Sequence, residues 1–189
     1  MKEKIKEMIE ESIIVKKTIP ADLVAKAADV IIHAYQKKGK ILVCGNGGSA
    51  ADAQHMAGEY VNRFKLEREP WPCLALTTDT SILTAIGNDY SYDQIFSKQV
   101  EAYGNKGDIL IGISTSGNSK NIIKAVETAR KKGMFVIGFL GRGGLLKEMC
   151  DLPITIDSSS TPRIQESHIL IMHAITELVE EALSQKRYD

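Results

Sequence analysis

Four hydroxyl side chains follow an apolar run of strand length in the middle of the chain. Residues 107–113 lead into Ser114, Thr115, Ser116 and Ser119, and a helical pattern starts directly afterwards. A buried parallel strand that enters a crossover helix has this pattern. The helix N-terminus favours anions, and hydroxyls add donors. The stretch therefore predicts a phosphate site. A helix cap alone is the alternative, but four hydroxyls exceed what one cap requires.

A glycine-rich loop, residues 45–49, follows the first predicted strand. It fits a relaxed dinucleotide-binding pattern, but Asp79, the acidic residue nearest the second strand, comes later than the usual interval of about 20 residues. The chain also lacks a Gly-Lys-Ser/Thr phosphate loop. Two small-residue loops after core strands instead favour a phosphorylated small molecule across the carboxyl ends of the sheet. We predict that one wall of its pocket consists of Asn46, Gly47, Gly48 and Ser49.

Polar side chains with metal-binding chemistry occur on two predicted helices. His55 and Glu59 are four residues apart and share a helix face directly after the glycine loop. The final helix carries Gln165, His168 and His173. Imidazole, carboxylate and amide oxygen together suit a divalent metal such as zinc.

The spacing on the final helix limits this metal hypothesis. Gln165 and His173 are eight residues apart, which is ~12 Å along a helix axis. Both reach one ion only if Gln165 lies at a flexible helix start and extends along the helix. Otherwise the two residues come from different subunits or serve different parts of the site.

Composition excludes several classes of protein. The 189 residues suit one domain, residues 1–189, and 24 Lys and Arg balance 24 Asp and Glu. We therefore expect no nucleic-acid partner, and no membrane partner because no apolar run reaches spanning length. Cys44, Cys73 and Cys150 are odd in number and lie at or near apolar stretches. This pattern favours reduced packing residues in a cytoplasmic protein.

The hydrophobic pattern alternates strands with helices and predicts a parallel sheet with helices on both faces. Strands are predicted at 40–44, 73–77, 107–113, 134–140 and 152–156, the last at an edge because it contains Pro153. Helices are predicted up to about residue 18, from 21 to about 38, and at 50–64, 80–87, 92–103, 120–132, shortly after 144, and 163–184.

Residues 1–38 form two long helices before the first strand, more than a minimal α/β unit needs. Two alternatives remain open for the apolar faces of these helices: either the faces project toward a partner subunit, or they pack on the sheet of their own chain.

These motifs together resemble the bacterial phosphoheptose isomerases of the sugar isomerase (SIS) superfamily. The matching segments are residues 45–49, 52–59, 87–89, 112–119 and 163–168. They occur in family order and span nearly the whole chain. The resemblance implies a five-stranded parallel sheet flanked by helices, a flavodoxin-like doubly wound fold. It also implies a homotetramer with active sites at subunit interfaces, to which residues 1–38 would contribute.

The resemblance implies conversion of sedoheptulose 7-phosphate to D-glycero-D-manno-heptose 7-phosphate, for lipopolysaccharide or other surface glycans. The implied zinc ligands, one ion per subunit, are His55, Glu59, Gln165 and His173. The implied substrate contacts are Asn46, Gly47, Gly48, Glu59, Asn88, Asp89, Ser114, Thr115, Ser116, Ser119 and Gln165. Pro162 departs from the family, whose members often have a small or acidic residue there.

Aldose–ketose isomerisation requires a base, an acid and stabilisation of an enediol. We assign Glu59 as the base and His173 as its acid/base partner. Two other classes compete with the enzyme: a non-catalytic SIS protein that binds a replication-initiator partner, and a phosphosugar sensor. The presence of Glu59, Gln165 and His173 favours the enzyme, and the chain has no spare length for a DNA-binding segment.

Overall fold

Five parallel strands form the centre of the fold. They are β1 (Ile41–Gly45), β2 (Cys73–Ala75), β3 (Ile109–Ser114), β4 (Phe135–Leu140) and β5 (Leu152–Thr155), in the spatial order β2-β1-β3-β4-β5. This computed structural model describes residues 1–185. Every residue of β1 and β3 is buried, as expected for a parallel sheet covered on both faces. The predicted parallel sheet, with Pro153 in an edge strand, is confirmed.

Helices cover the two faces of this sheet. They are α1 (Lys2–Lys16), α2 (Ala21–Gln36), α3 (Gly48–Val61), α4 (Thr80–Asp89), α5 (Ser97–Tyr103), α6 (Lys120–Lys131), α7 (Leu146–Met149) and α8 (Thr161–Gln185). Successive strand residues point to opposite faces. Ile41 and Val43 accordingly pack with residues of α2, α3 and α8, whereas Leu42 and Cys44 pack with residues of α5 and α6.

The strand order reverses next to β1, which lies between β2 and β3. The chain moves outward from β1 to β2 and then crosses back to β3. The crevice at the carboxyl ends of β1 and β3 is therefore a topological switch point, where α/β sheets bind ligands. The glycine loop (residues 45–49) follows β1, and the hydroxyl loop (residues 114–119) follows β3. The fold thus brings both predicted ligand loops to one crevice.

Several element ends differ from the sequence prediction. The α4 helix continues through Asp89 instead of ending near residue 87. Its last two residues, Asn88 and Asp89, are polar and exposed, so they add no apolar periodicity to the sequence. β2 ends at Ala75, where the Thr78 hydroxyl donates to the Ala75 carbonyl and forms a turn. The predicted helix 92–103 is a 3₁₀ turn, Tyr92–Gln94, followed by α5. The α8 helix begins at Thr161, so Pro162 lies in its first turn, where proline is tolerated.

The two N-terminal helices are used differently. The α2 helix buries Ala27 and Ile31 in the core of its own chain. The α1 helix buries Val15 but leaves Ile5, Ile9 and Ile14 exposed. The α2 helix therefore packs on the core of its own chain, whereas most of the apolar face of α1 is exposed. Within residues 1–185, none of the helices combines the length and the apolarity that a bilayer crossing demands.

Candidate active site

Three hydroxyls converge in the hydroxyl loop at the end of β3. Ser114 Oγ lies 3.1 Å from Ser119 Oγ and 3.4 Å from Ser116 Oγ. Ser119 occupies the N-cap position of α6, but its side chain makes no capping hydrogen bond. Capping alone therefore does not account for this hydroxyl. Thr115 lies between the serines and is partly exposed. The loop presents hydroxyl donors beside a helix N-terminus, an arrangement suited to an anion.

Close backbone packing holds the hydroxyl loop in place. Gly117 has a φ of +66°, and a Cβ there would overlap the carbonyl oxygen of Gly143. The backbone N–H of Leu146 donates to the Gly117 carbonyl at 3.0 Å, and that of Leu145 donates to Asn118 Oδ1 at 3.0 Å. Glycine therefore allows the segment after β4 to support the loop after β3.

A reciprocal amide pair links the glycine loop to the hydroxyl loop's helix. Asn46 Nδ2 donates to Asn121 Oδ1 at 2.9 Å, and Asn121 Nδ2 donates to Asn46 Oδ1 at 2.8 Å. Tyr92 also donates its hydroxyl to Asn46 Oδ1, at 3.0 Å. Sequence reasoning missed Asn121 and Tyr92. Asn121 is buried. Its only signal in the sequence is that it is a polar residue next to Ile122, on the apolar face of α6.

The remaining residues of the glycine loop have different environments. Gly47 and Gly48 are exposed, whereas Ser49 is buried. A Cβ at Gly48 would overlap the Gln165 amide nitrogen, so the first residue of α3 lies directly against a side chain of α8. Glycine at this position makes room for Gln165.

His55, Glu59 and His173 form one imidazole–carboxylate cluster. His55 Nε2 lies 3.0 Å from Glu59 Oε1 and 3.4 Å from His173 Nε2. One ligand atom from each residue lies within 4.8 Å of the others. A tetrahedral ion with bonds of about 2 Å spaces its donors roughly 3.3 Å apart. Both the donor types and their spacing fit a divalent metal.

Gln165 does not lie beside His55, Glu59 and His173; it lies nearer the starts of α3 and α8. It contacts Gly48 at the start of α3, whereas His173 contacts His55, seven residues further along α3. Seven residues rise by roughly 10 Å. The structure thus brings three of the four predicted metal ligands together and places the fourth beside the glycine loop. Participation of Gln165 in the same ion site stays a prediction.

Two further predicted contacts lie at the exposed end of α4. Asn88 Nδ2 donates to Asp89 Oδ1 at 2.8 Å, and both residues are exposed. The chain then passes to Tyr92, whose hydroxyl bonds Asn46. This bond ties the segment after Asp89 to the glycine loop.

His168 lies apart from the cluster although it shares a helix with His173. Its Nε2 lies 3.2 Å from the Leu140 carbonyl oxygen, and the residue is buried. Burial lowers the pKa of His168 to about 4, and the Leu140 bond offsets only part of that effect. A neutral imidazole that joins α8 to the end of β4 has a packing role.

Comparison with known families first defines the class. The SIS domain family model matches residues 4–141. A parallel α/β sheet with two small-residue loops at its switch point is consistent with that match. The protein is thus an SIS domain protein.

Relatives within this class are phosphoheptose isomerases. The enzyme of Aneurinibacillus thermoaerophilus is 54% identical over 194 residues, which cover 100% of this chain and 98% of the relative. Phosphoheptose isomerase 2 of Campylobacter jejuni is 54% identical over 184 residues, 94% of this chain and 92% of the relative. The structure of the Neisseria gonorrhoeae phosphoheptose isomerase superposes with a TM-score of 0.90 at 44% identity, over 95% of this chain and 98% of that chain. The chain therefore belongs to the phosphoheptose isomerase family.

Proposed function

We propose that this protein is an aldose–ketose isomerase that converts sedoheptulose 7-phosphate to D-glycero-D-manno-heptose 7-phosphate. Full-length similarity to phosphoheptose isomerases supports the substrate. The observation that carries the chemistry is the contact of Glu59 and His173 with a common neighbour, His55. A seven-carbon substrate with phosphate at C7 and reacting carbons at C1 and C2 needs two separate subsites.

The hydroxyl loop is the proposed phosphate subsite. Ser114, Thr115, Ser116 and Ser119 bind the phosphate oxygens, and the helix N-terminus stabilises their charge. This remote binding energy positions C1 and C2. Further proposed substrate contacts are Asn46, Gly47, Gly48, Ser49, Asn88, Asp89 and Gln165.

Proton transfer takes place at the imidazole–carboxylate cluster. Glu59 removes a proton from C1 of the ketose and returns it to C2, while His173 donates a proton to the C2 carbonyl oxygen and accepts the proton of the C1 hydroxyl, so that the enediol becomes the aldose. His55 lies between them, so its imidazole orients both groups. Glu59 therefore transfers the carbon-bound proton, and His173 transfers the oxygen-bound protons.

The cluster is also the proposed zinc site. His55, Glu59 and His173, with Gln165, would hold one zinc ion per subunit. When bound, zinc acts as a Lewis acid that stabilises negative charge on a sugar oxygen. Calorimetric titration of chelator-treated protein with Zn²⁺ tests this assignment. We expect one ion per chain, and His55→Ala should abolish binding. Equal binding by that variant would refute the site.

Assembly and location complete the proposal. We propose a homotetramer with active sites at subunit interfaces, supported by the exposed Ile5, Ile9 and Ile14 of α1 within residues 1–38. Sedimentation of the full chain tests it, and a monomer would contradict it.

A cytoplasmic location is supported by Cys44, Cys73 and Cys150, which are buried free thiols. The heptose product would supply lipopolysaccharide or other surface glycans.

The decisive experiment is incubation of purified protein with sedoheptulose 7-phosphate, with and without a chelator. We expect an aldose phosphate detectable by carbon-13 NMR. Absence of the aldose at high protein concentration, with and without added Zn²⁺, would refute the isomerase and favour a non-catalytic SIS protein. A chelator-resistant reaction would retain the isomerase and remove zinc from it.

A further inference from the structure

A buried ion pair, Arg68–Glu180, lies next to the imidazole–carboxylate cluster. Arg68 Nε donates to Glu180 Oε1 at 2.9 Å, and their side chains are 3% and 1% exposed. Arg68 lies in the loop after α3 and Glu180 lies on α8, the two helices that carry the cluster. Removing two charges from water is costly unless their remaining hydrogen-bonding groups are satisfied. The partners of each residue therefore indicate what the pair holds.

Glu180 organises the start of the loop after α3. Its carboxylate accepts the backbone N–H groups of Phe64 at 2.9 Å, Lys65 at 2.6 Å and Leu66 at 2.8 Å, in addition to Arg68. Each carboxylate oxygen thus accepts two hydrogen bonds. Three consecutive amides bound by one carboxylate leave this loop segment little freedom.

Arg68 caps the C-terminal end of α3. Its guanidinium donates to the carbonyl oxygens of Glu59 at 2.8 Å and Tyr60 at 2.9 Å, and it stacks 3.7 Å from the Trp71 ring. Carbonyls in the last turn of a helix lack partners within that helix, and a cation there is favourable. Arg68 therefore fixes the turn that carries the Glu59 carboxylate.

Phe64 connects the loop to the cluster. Its ring stacks on the His173 imidazole with centroids 5.4 Å apart and an interplanar angle of 28°. The Phe64 backbone is held by Glu180, so the ring has a defined position. One face of the His173 imidazole is covered as a result.

We propose that Arg68, Glu180 and Phe64 are positioning residues for the isomerase site. The ion pair fixes the Glu59 turn on one side and, through the Phe64 ring, the His173 imidazole on the other. This inference rests on the proposed function for its kinetic consequences. Proton transfer depends steeply on distance, and a misplacement of about 1 Å lowers the rate by as much as ~100-fold.

The test compares Phe64→Leu, Phe64→Tyr and Glu180→Gln with the wild-type enzyme. Phe64→Leu removes the stacked ring and leaves the ion pair, so it covers the case in which Glu180→Gln fails to fold. We expect kcat to fall by about tenfold or more in Phe64→Leu and Glu180→Gln, with KM within about threefold, because the groups that bind phosphate are unchanged. Phe64→Tyr keeps the ring and should restore kcat to within about twofold.

A matched control removes the neighbouring exposed ion pair. Lys65 Nζ lies 2.5 Å from Glu177 Oε1, joining the same loop to the same helix outside the buried pair. Glu177→Gln should therefore keep the wild-type kcat. An equal loss of kcat in Glu177→Gln, a kcat within twofold of wild type in Phe64→Leu, or a rise in KM alone would each overturn the proposal.

A second measurement needs neither substrate nor turnover. Diethyl pyrocarbonate modifies accessible imidazoles, and mass spectrometry gives the rate at each histidine of the chelator-treated protein. Phe64→Leu should accelerate modification of His173 by about threefold or more, while the exposed His33 keeps its rate. An unchanged His173 rate would overturn the inference. If the wild type lacks isomerase activity, the proposed function fails while this measurement still decides the positioning role.

Discussion

His55 and His173 place their Nε2 atoms 3.4 Å apart although 118 residues separate them in the chain. Their rings meet edge to face with centroids 5.0 Å apart. The contact depends on α3 and α8 lying side by side. It brings Glu59 of α3 and His173 of α8 to the same neighbour, His55. Because the two residues lie on different helices, each can be substituted separately to test its proposed role.

Removal of the proposed proton-transfer groups should abolish most turnover. Glu59→Gln and His173→Gln keep approximate size but remove a titrating group, so kcat should fall by about 10²–10⁴. Steady-state kinetics with sedoheptulose 7-phosphate measures this loss. His33→Gln is the matched control, since His33 is exposed on α2. Near wild-type turnover in either cluster variant would remove that residue from proton transfer.

Loss of a hydroxyl in the hydroxyl loop should weaken substrate binding. Ser119→Ala removes one donor to the charged phosphate, and such bonds contribute about 1.5–3 kcal/mol. The dissociation constant for the substrate should rise by roughly 10- to 100-fold, measured by calorimetry with the inactive Glu59→Gln variant. Ser81→Ala, at an exposed position on α4, is the control. Unchanged affinity in Ser119→Ala would place the phosphate elsewhere.

A side chain at Gly117 should disrupt the hydroxyl loop. Gly117→Ala would put a Cβ at a φ of +66° and against the Gly143 carbonyl. The backbone strain alone destabilises by roughly 1–3 kcal/mol, and the overlap adds to it. Urea unfolding should show the loss. Gly143→Ala is a close control because its Cβ would have no neighbour within 4 Å. Equal unfolding free energies for the two variants would contradict the packing argument.

The buried pair should make stability depend on acid pH. Burial raises the pKa of Glu180, but three backbone N–H donors and Arg68 outweigh it, and the net pKa lies below its ordinary value of 4.5. A depressed folded-state pKa stabilises the protein above the unfolded pKa, and this stabilisation is lost as pH falls through the folded pKa. The free energy of unfolding of wild type minus Glu180→Gln should therefore be constant above about pH 5 and shrink below it.

Urea unfolding at several pH values measures this difference. Glu67→Gln is the control, since the Glu67 side chain is 91% exposed and pairs weakly with Arg63 at 3.5 Å. That variant should match wild type at every pH. A difference for Glu180→Gln that persists undiminished at pH 3 would contradict the depressed pKa.

Sequence alone determined the elements whose signals are local. The apolar runs that end in residues 45–49 and 114–119 identify strands and their loops because burial on both faces requires continuous apolar residues. The i, i+4 spacing of His55 and Glu59 places them on one helix face whatever the rest of the fold does. Polar, exposed residues at the end of an element leave no apolar periodicity. For this reason the sequence predicts that α4 ends near residue 87, although the helix continues through Asn88 and Asp89.

Tertiary structure decided the relationships between distant residues. Asn46 meets Asn121, Phe64 meets His173, and Arg68 meets Glu180 only because helices and loops that are distant in the chain pack against one another. It also decided that α2 is buried whereas α1 exposes its apolar face. Periodicity reports which face of an element is apolar, but the partner of that face depends on long-range packing. The sequence therefore determined the chemical groups and their elements, and the packing of α3 against α8 decided which groups lie together.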